Sequence, residues 1–249
     1  MLGVHVQALL GVSSTAASKR LRALEIESLL CRDALFHRYP PHYRIARDGL
    51  EVIGSGLPVP KRGLNVAHDI GVAWLWLAAQ RGAFGSLREV ISERRMRSSD
   101  GIEAHAARRT GRSAEEPFGV RLSGHGPGGH PRLHYPDLLL VDRAGRRVAV
   151  ELELSTKGRG RRDQIIGGYA SDRRIEAVLY LVQDHRIARE VQAAARRFGL
   201  QQRVLVQPVR LGAGQAPAVG PAATRGAQRG TAPRPAAKGE VGRTEELGL

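Results

Sequence analysis

Apolar positions along the chain change period several times, and the changes divide it into four zones: 1–60, 61–131, 132–210 and 211–249. In the first zone, Val4 to Leu10 fits a short helix. Gly11-Val12-Ser13 breaks it, and Ser14 to Leu24 fits a second helix with Leu21 and Leu24 on its apolar face. Leu29 to Arg32, Leu35 to Tyr39 and His42 to Ile45 are short runs. Two strands around the Pro40-Pro41 turn are expected here, and Arg47-Asp48-Gly49-Leu50 opens the next helix. In the second zone, Leu64 to Gln80 carries Val66, Ile70, Trp74 and Leu77 at helical spacing, which makes the tryptophans Trp74 and Trp76 packing residues. Leu87 to Met96 also reads as an amphipathic helix, with Glu89 and Glu93 sharing a face. Residues 98–131 are polar and Gly-rich and read as a loop, His125 and His130 included.

The third zone alternates strand and helix patterns. Leu138 to Val141 is a buried strand, Ala144-Gly145 a turn, and Val148 to Leu154 the return strand of a hairpin. Gly158 to Arg174 is a basic helix, Ala177 to Val182 a buried strand, Ile187 to Phe198 an amphipathic helix and Arg203 to Val209 a last strand. The fold class expected is therefore α+β, with an α/β C-terminal domain. The fourth zone is Ala, Gly, Pro and Arg with almost no large apolar residue. It cannot offset its ordering entropy, and a disordered tail is expected.

Charge narrows the partners. The formal net charge is +15, which favours a polyanion, because cations near phosphates release condensed counterions. Cys31 is the single cysteine, so neither a disulfide framework nor a cysteine zinc cluster is available, and a reducing cytoplasm fits. No apolar run reaches the roughly 20 residues of a membrane span, and the first ten residues lack the marks of a signal peptide.

The chemistry is concentrated in His134-Tyr135-Pro136-Asp137 and Glu151-Leu152-Glu153-Leu154-Ser155-Thr156-Lys157. Period two puts Ala149, Glu151 and Glu153 on one face of the return strand, and Asp137 opens its partner. Three converging carboxylates repel unless a cation lies between them, and hard oxygen ligands suit Mg²⁺ or Mn²⁺. His134 orders the hairpin or Asp137, with a direct metal role as the alternative; Glu93 is a candidate accessory acid, and His68 a satisfied polar point on its helix. Arg161, Arg162, Arg173 and Arg174 are expected along a phosphate path.

The first 55 or so residues resemble winged helix–turn–helix DNA-binding domains, whose second helix enters the major groove. The resemblance makes Ser14, Ser18, Lys19, Arg20 and Arg22 the DNA-facing residues, with Arg38 and Arg44 on the wing. From Leu133 to Val209 the chain resembles the PD-(D/E)XK nucleases. That resemblance implies Asp137 and Glu151 as metal ligands and puts Glu153 where the family usually has Lys, with Lys157 four residues on as the substitute charge. Gln164 and Tyr169 resemble the Gln and Tyr on the corresponding helix of RecB-like nucleases. The arrangement before the tail also resembles the replication-relaxation family of actinobacterial plasmids and mobile elements. It rests on the winged-helix start, Gly49…Ile53-Gly54, His68-Asp69, His134-x-Pro136-Asp137, Glu151-x-Glu153-x-Ser155-x-Lys157 and Tyr169.

These resemblances imply a protein of plasmid replication, relaxation or mobilisation. DNA, a homodimer and other plasmid replication or transfer proteins are the partners, and Mg²⁺ or Mn²⁺ is the cofactor of an endonuclease-like site. The alternative is a non-catalytic DNA-binding regulator on a degenerate nuclease fold, which the acid at the Lys position favours. An RNA target stays open, since phosphate contacts do not separate RNA from DNA.

Overall fold

The structure, a computed structural model, describes residues 1–34, 39–60 and 65–210. Its first part is two helices and a hairpin. Helix α1 (Gly3–Leu10) ends at Gly11, whose φ of 63° is the left-handed conformation that glycine adopts without strain. Helix α2 (Ser14–Ile26) starts at Ser13, whose Oγ accepts from the Ala16 N–H at 3.2 Å, as the sequence leads one to expect. Strands β1 (Leu30–Asp33) and β2 (His42–Ile45) pair antiparallel, with Leu30 opposite Ile45 and Asp33 opposite His42. The strand that pairs with His42–Ile45 is thus Leu30–Asp33. Leu35 to Arg38 lie outside the described residues, and so does the expected wing contact of Arg38.

Helix α3 (Arg47–Val52) follows at once, and Gly49 lets it approach the chain at Leu29, between α2 and β1. A Cβ at Gly49 would lie 2.3 Å from the Leu29 carbonyl oxygen and 2.9 Å from Ile45 Cγ1. That carbonyl already accepts from the Ala46 N–H. Gly49→Ala is therefore expected to destabilise the protein by about 1–3 kcal/mol in urea unfolding, although alanine is favoured by about 1 kcal/mol in an open helix. Gly101, where an added Cβ meets nothing within 4 Å, is the control: Gly101→Ala should stabilise. Equal signs at the two positions would refute the close approach.

Helix α4 (Val66–Gln80) buries Ile70, Trp74, Leu75, Leu77 and Ala79. Trp74 packs with Leu2, Ile70 and Leu77, and Trp76 sits partly buried at the edge of this cluster, so both tryptophans are packing residues. The buried His5 ring meets Trp74 edge-on, with centroids 4.4 Å apart.

The next segment departs from the sequence reading. Leu87–Ser92 is a strand, β3, and the helix that follows, α5, runs from Glu93 to Thr110. A ten-residue run such as Leu87 to Met96 satisfies both periods. Pairing with a neighbouring strand decides it, because β-branched Val90 and Ile91 gain a ladder and a buried face there. Ser92 caps α5 by accepting from the Arg95 N–H at 3.4 Å. Glu89 and Glu93 consequently share no helical face; they pair separately with Arg95 and Arg97. The stretch read as a loop also holds structure: α5 continues to Gly111, and β4 (Val120–His125) pairs with β5 (Pro131–His134). Val120 and Leu122 alternate inward there, and His125 closes β4.

Strands β6 (Leu138–Asp142), β7 (Arg147–Glu153), β8 (Ile175–Val182) and β9 (Val204–Pro208) complete the main sheet. Its order is β3-β6-β7-β8-β9; the first three pair antiparallel, the last three parallel. The parallel connections run through α6 (Arg159–Ser171) and α7 (His185–Arg197), as a parallel pair requires. One face of the sheet, with Leu139, Val141, Ala149 and Tyr180, packs on Ile165, Ile166 and Tyr169 of α6 and on Ile187, Val191 and Ala194 of α7. The other face, with Leu138, Leu140, Val150 and Leu152, packs on Leu75 and Ala79 of α4. The protein is thus of mixed α and β structure around a mixed sheet. The tail at 211–249, expected to be disordered, lies outside the described residues. Among those residues no helix is long and apolar enough to cross a membrane.

Candidate functional site

Strand register brings the acids together. Leu138 pairs with Val150, so one step further on Asp137 stands opposite Glu151 on the same face of the hairpin. The turn that fixes this register is closed by Asp142: its carboxylate accepts from the N–H groups of Ala144 and Arg146, and Gly145 takes a φ of 82°. Glu153 lies two residues along, on the same side. Glu151 and Glu153 are each 2 % exposed and Asp137 9 %, a row of acids almost wholly out of water.

Each acid has its own partners. Asp137 Oδ2 accepts from the Leu152 N–H at 2.7 Å and meets His68 Nε2 at 3.2 Å. His68 sits in the first turn of α4 and reaches round the end of the sheet from the opposite layer. Glu151 Oε1 is held by His134 Nε2 at 2.6 Å and by the Tyr169 hydroxyl at 2.5 Å. Glu153 Oε1 accepts from Arg162 at 3.2 Å and from the Lys157 N–H at 3.4 Å, while Lys157 Nζ stands 3.7 Å from Oε2. Arg162 also binds Glu190 Oε2 at 2.9 Å and the Lys157 carbonyl at 3.0 Å. Repulsion between the acids is therefore relieved by protein groups, two imidazoles, a guanidinium and an ammonium.

These contacts set the charges. Burial alone would raise the Glu151 pKa, but the charge and hydrogen bond of His134, with Lys157 and Tyr169, outweigh it and hold the carboxyl below its ordinary value. Burial and the Glu151 charge push the Tyr169 phenol well above its ordinary value, so it stays a donor. Burial would lower the His68 pKa, yet the hydrogen bond and charge of Asp137 win and raise it. A raised folded-state value means that His68 stabilises fully below its unfolded value of 6.5 and loses this as pH rises through the folded value. The cost of His68→Gln, from urea unfolding, is expected to be largest below pH 6.5 and to shrink as the pH is raised above it. A cost that does not change with pH would remove His68 as a charged partner.

The other expected positions fall into three groups. Ser14, Ser18, Lys19, Arg20 and Arg22 are all exposed on α2, while Ala17 and Leu21 anchor its inner face. Arg44 does not reach outward as a wing residue: Asp33 binds it at 2.6 and 3.3 Å, and it donates to the Pro60 carbonyl at 2.8 Å. Arg162 does not line an exposed phosphate path either, being 3 % exposed and held between Glu153 and Glu190. Arg174 is tied to Asp172 and the Pro117 carbonyl, while Arg161 and Arg173 stay exposed. Glu93 touches Asp137 only through its backbone, its N–H donating to the Asp137 carbonyl; its carboxylate faces Arg97. Gln164 is half-buried on α6 and is not among the donors to the acids.

Sequence reasoning missed two members of the cluster. The His68–Asp137 contact spans 69 residues, and no periodicity reports it. Tyr180 on β8 stands beside Glu151 in register, and its alternation with Val178 and Val182 was the available signal. Compared with family models, curated proteins and solved structures, the chain matches none.

Proposed function

We propose that this chain binds DNA through α2 and hydrolyses a phosphodiester at Asp137 and Glu151, on a sheet of the PD-(D/E)XK nuclease type, in plasmid replication, relaxation or mobilisation. The observation that carries the reading is the opposition of Asp137 and Glu151, each with one oxygen fixed by the protein and one left over. Among the described residues Asp137 Oδ1 and Glu151 Oε2 accept no hydrogen bond. The sheet order, with an antiparallel meander followed by a parallel strand across a helix, supports the fold. The exposed Ser14, Lys19, Arg20 and Arg22 and a net charge of +15 support the DNA partner.

The donor set suits a magnesium or manganese ion. Among the described residues no group of three or more His, Cys, Asp or Glu side chains is gathered to hold a metal. Mg²⁺ does not need one, since it keeps several waters and takes one or two carboxylates beside the substrate's phosphate. Asp137 and Glu151 would hold it, and it would polarise the phosphate and lower the pKa of a water. His68 and the Leu152 N–H aim the Asp137 carboxylate, and His134 and Tyr169 aim Glu151 and keep it anionic. Glu153, which the resemblance puts where the family usually has Lys, is taken up by Arg162 and Lys157, so it anchors Lys157 near the acids.

That same engagement favours a second reading, a DNA-binding regulator without chemistry, because among the described residues Glu153, the acid next along the strand face from Glu151, is already bound by Arg162 and Lys157. Supercoiled plasmid with Mg²⁺ or Mn²⁺ decides between them. Nicking by the wild type that is lost in Asp137→Asn and Glu151→Gln establishes the nuclease. A shifted but uncut plasmid establishes the regulator.

A further inference from the structure

A basic feature adjoins the Glu153 end of the acidic row, where the start of α6 faces α7. A cleft of about 530 Å³ is lined there chiefly by Lys157, Arg159, Arg162, Arg186, Glu190 and Arg197. Five of these side chains are cations and one, Glu190, is an acid. Arg186, Glu190, Ala193 and Arg197 recur along one face of α7 at helical spacing. Opposite them α6 begins at Gly158 with no side-chain cap and no acid in its first turn, so its leading N–H groups meet no carboxylate of their own helix. Arg162, 3 % exposed, borders the cleft with its Nε buried and without a hydrogen-bond partner among the described residues.

We infer that this cleft is a phosphate-binding site for a nucleic-acid strand, distinct from the Asp137–Glu151 pair and resting on the reading of the chain as a DNA-binding protein. Several observations converge on an anion. Arg159 and Arg186 are 77 % and 70 % exposed, and the carboxylates they meet, Asp163 and Glu190, each serve a second arginine as well. Cations therefore outnumber the acids that bind them here. A phosphate accepts from backbone N–H groups and forked guanidinium donors together, and it is the anion a nucleic-acid strand brings. The site replaces the path that the sequence suggested along Arg161, Arg162, Arg173 and Arg174. The phosphate-facing cations become Lys157, Arg159, Arg186 and Arg197.

The test compares Arg186→Gln/Arg197→Gln with Arg108→Gln/Arg109→Gln, which removes the same charge from the exposed end of α5. Affinity for a fluorescein-labelled 30-base-pair duplex, about three turns, is measured by anisotropy over a range of salt concentrations. The cleft variant should bind about tenfold more weakly, with the slope of log affinity against log salt reduced by about 1–2, and the α5 variant should keep most of the slope. Equal losses in the two variants, or none in the first, would overturn the site. Melting with inorganic pyrophosphate separates the inference from the DNA reading. If the wild type binds no duplex yet is stabilised by pyrophosphate, and only the cleft variant loses this, the phosphate site stands and the DNA reading fails. If pyrophosphate stabilises wild type and both variants alike, and duplex binding does not depend on the cleft, the site fails. Should the double variant prove unfolded, Arg159→Gln at the most exposed of these positions takes its place, judged by the same slope.

Discussion

Replacing Arg162 with methionine is expected to lower the unfolding free energy by about 3–5 kcal/mol, the usual cost of removing one partner from a buried ion cluster. Arg162 joins Glu153 and Glu190 and donates to the Lys157 carbonyl, with only 4 % of its side chain exposed. Without it Glu153, 1 % exposed at the side chain, keeps a charge whose remaining partner is Lys157, and its Oε2 already lacks a hydrogen bond. Desolvation of that carboxylate dominates the loss, since Coulomb attraction to a half-exposed lysine is weak. The double variant Glu153→Met/Arg162→Met should recover most of it, because an apolar pair leaves no unpaired carboxylate buried, and Lys157 is exposed enough to be solvated. Urea unfolding of the three proteins measures this. A single-variant cost under about 1 kcal/mol, as for an exposed pair, would mean that the cluster is not what fixes this corner.

The second large effect is on the proposed chemistry. Tyr169→Phe keeps the ring that fills the core and removes only the hydroxyl that holds Glu151 Oε1. Groups that orient a metal-binding carboxylate are worth about 10- to 100-fold in metal affinity or activity. The Mn²⁺ concentration for half-maximal plasmid nicking should therefore rise about 10- to 100-fold in Tyr169→Phe, and activity should fall further in Glu151→Gln. Loss of packing alone would shift the melting temperature and leave the Mn²⁺ dependence where it was. That outcome would return Tyr169 to a structural part.

How much of this was legible in the sequence follows the range of the forces involved. The hairpin of β6 and β7, the faces of its residues, α6, β8, α7 and β9 are encoded locally, in alternation, turn residues and helical spacing. Tyr169, chosen for its likeness to a family motif, does touch Glu151. Segment 87–96 was misread because its apolar spacing is satisfied by either period. The strand forms because Leu140 and Val141 lie waiting beside it, and that information sits 50 residues away. Residues 98–131 were misread because glycine and charge dominate their composition, while the few residues that pack, Ala107, Val120 and Leu122, are sparse. Arg44 and Arg162 show the limit for charge. A sequence gives an arginine's sign, and only the fold tells whether an acid has already claimed it.

The turn from Arg143 to Arg146 does more than reverse the chain. Because side chains alternate with every residue, one inserted or deleted residue there would slide β7 past β6 and carry Glu151 to the α4 side of the sheet, away from Asp137, His134 and Tyr169. Variation in length is thus barred from this surface turn, and is tolerated at 111–114, between α5 and the Phe118 and Gly119 contacts with Asp100, where no strand register depends on the count. Among any relatives of this protein, a constant spacing between the proline-aspartate pair and the paired glutamates would be the lasting signature of the site, more than the identity of the residues between them.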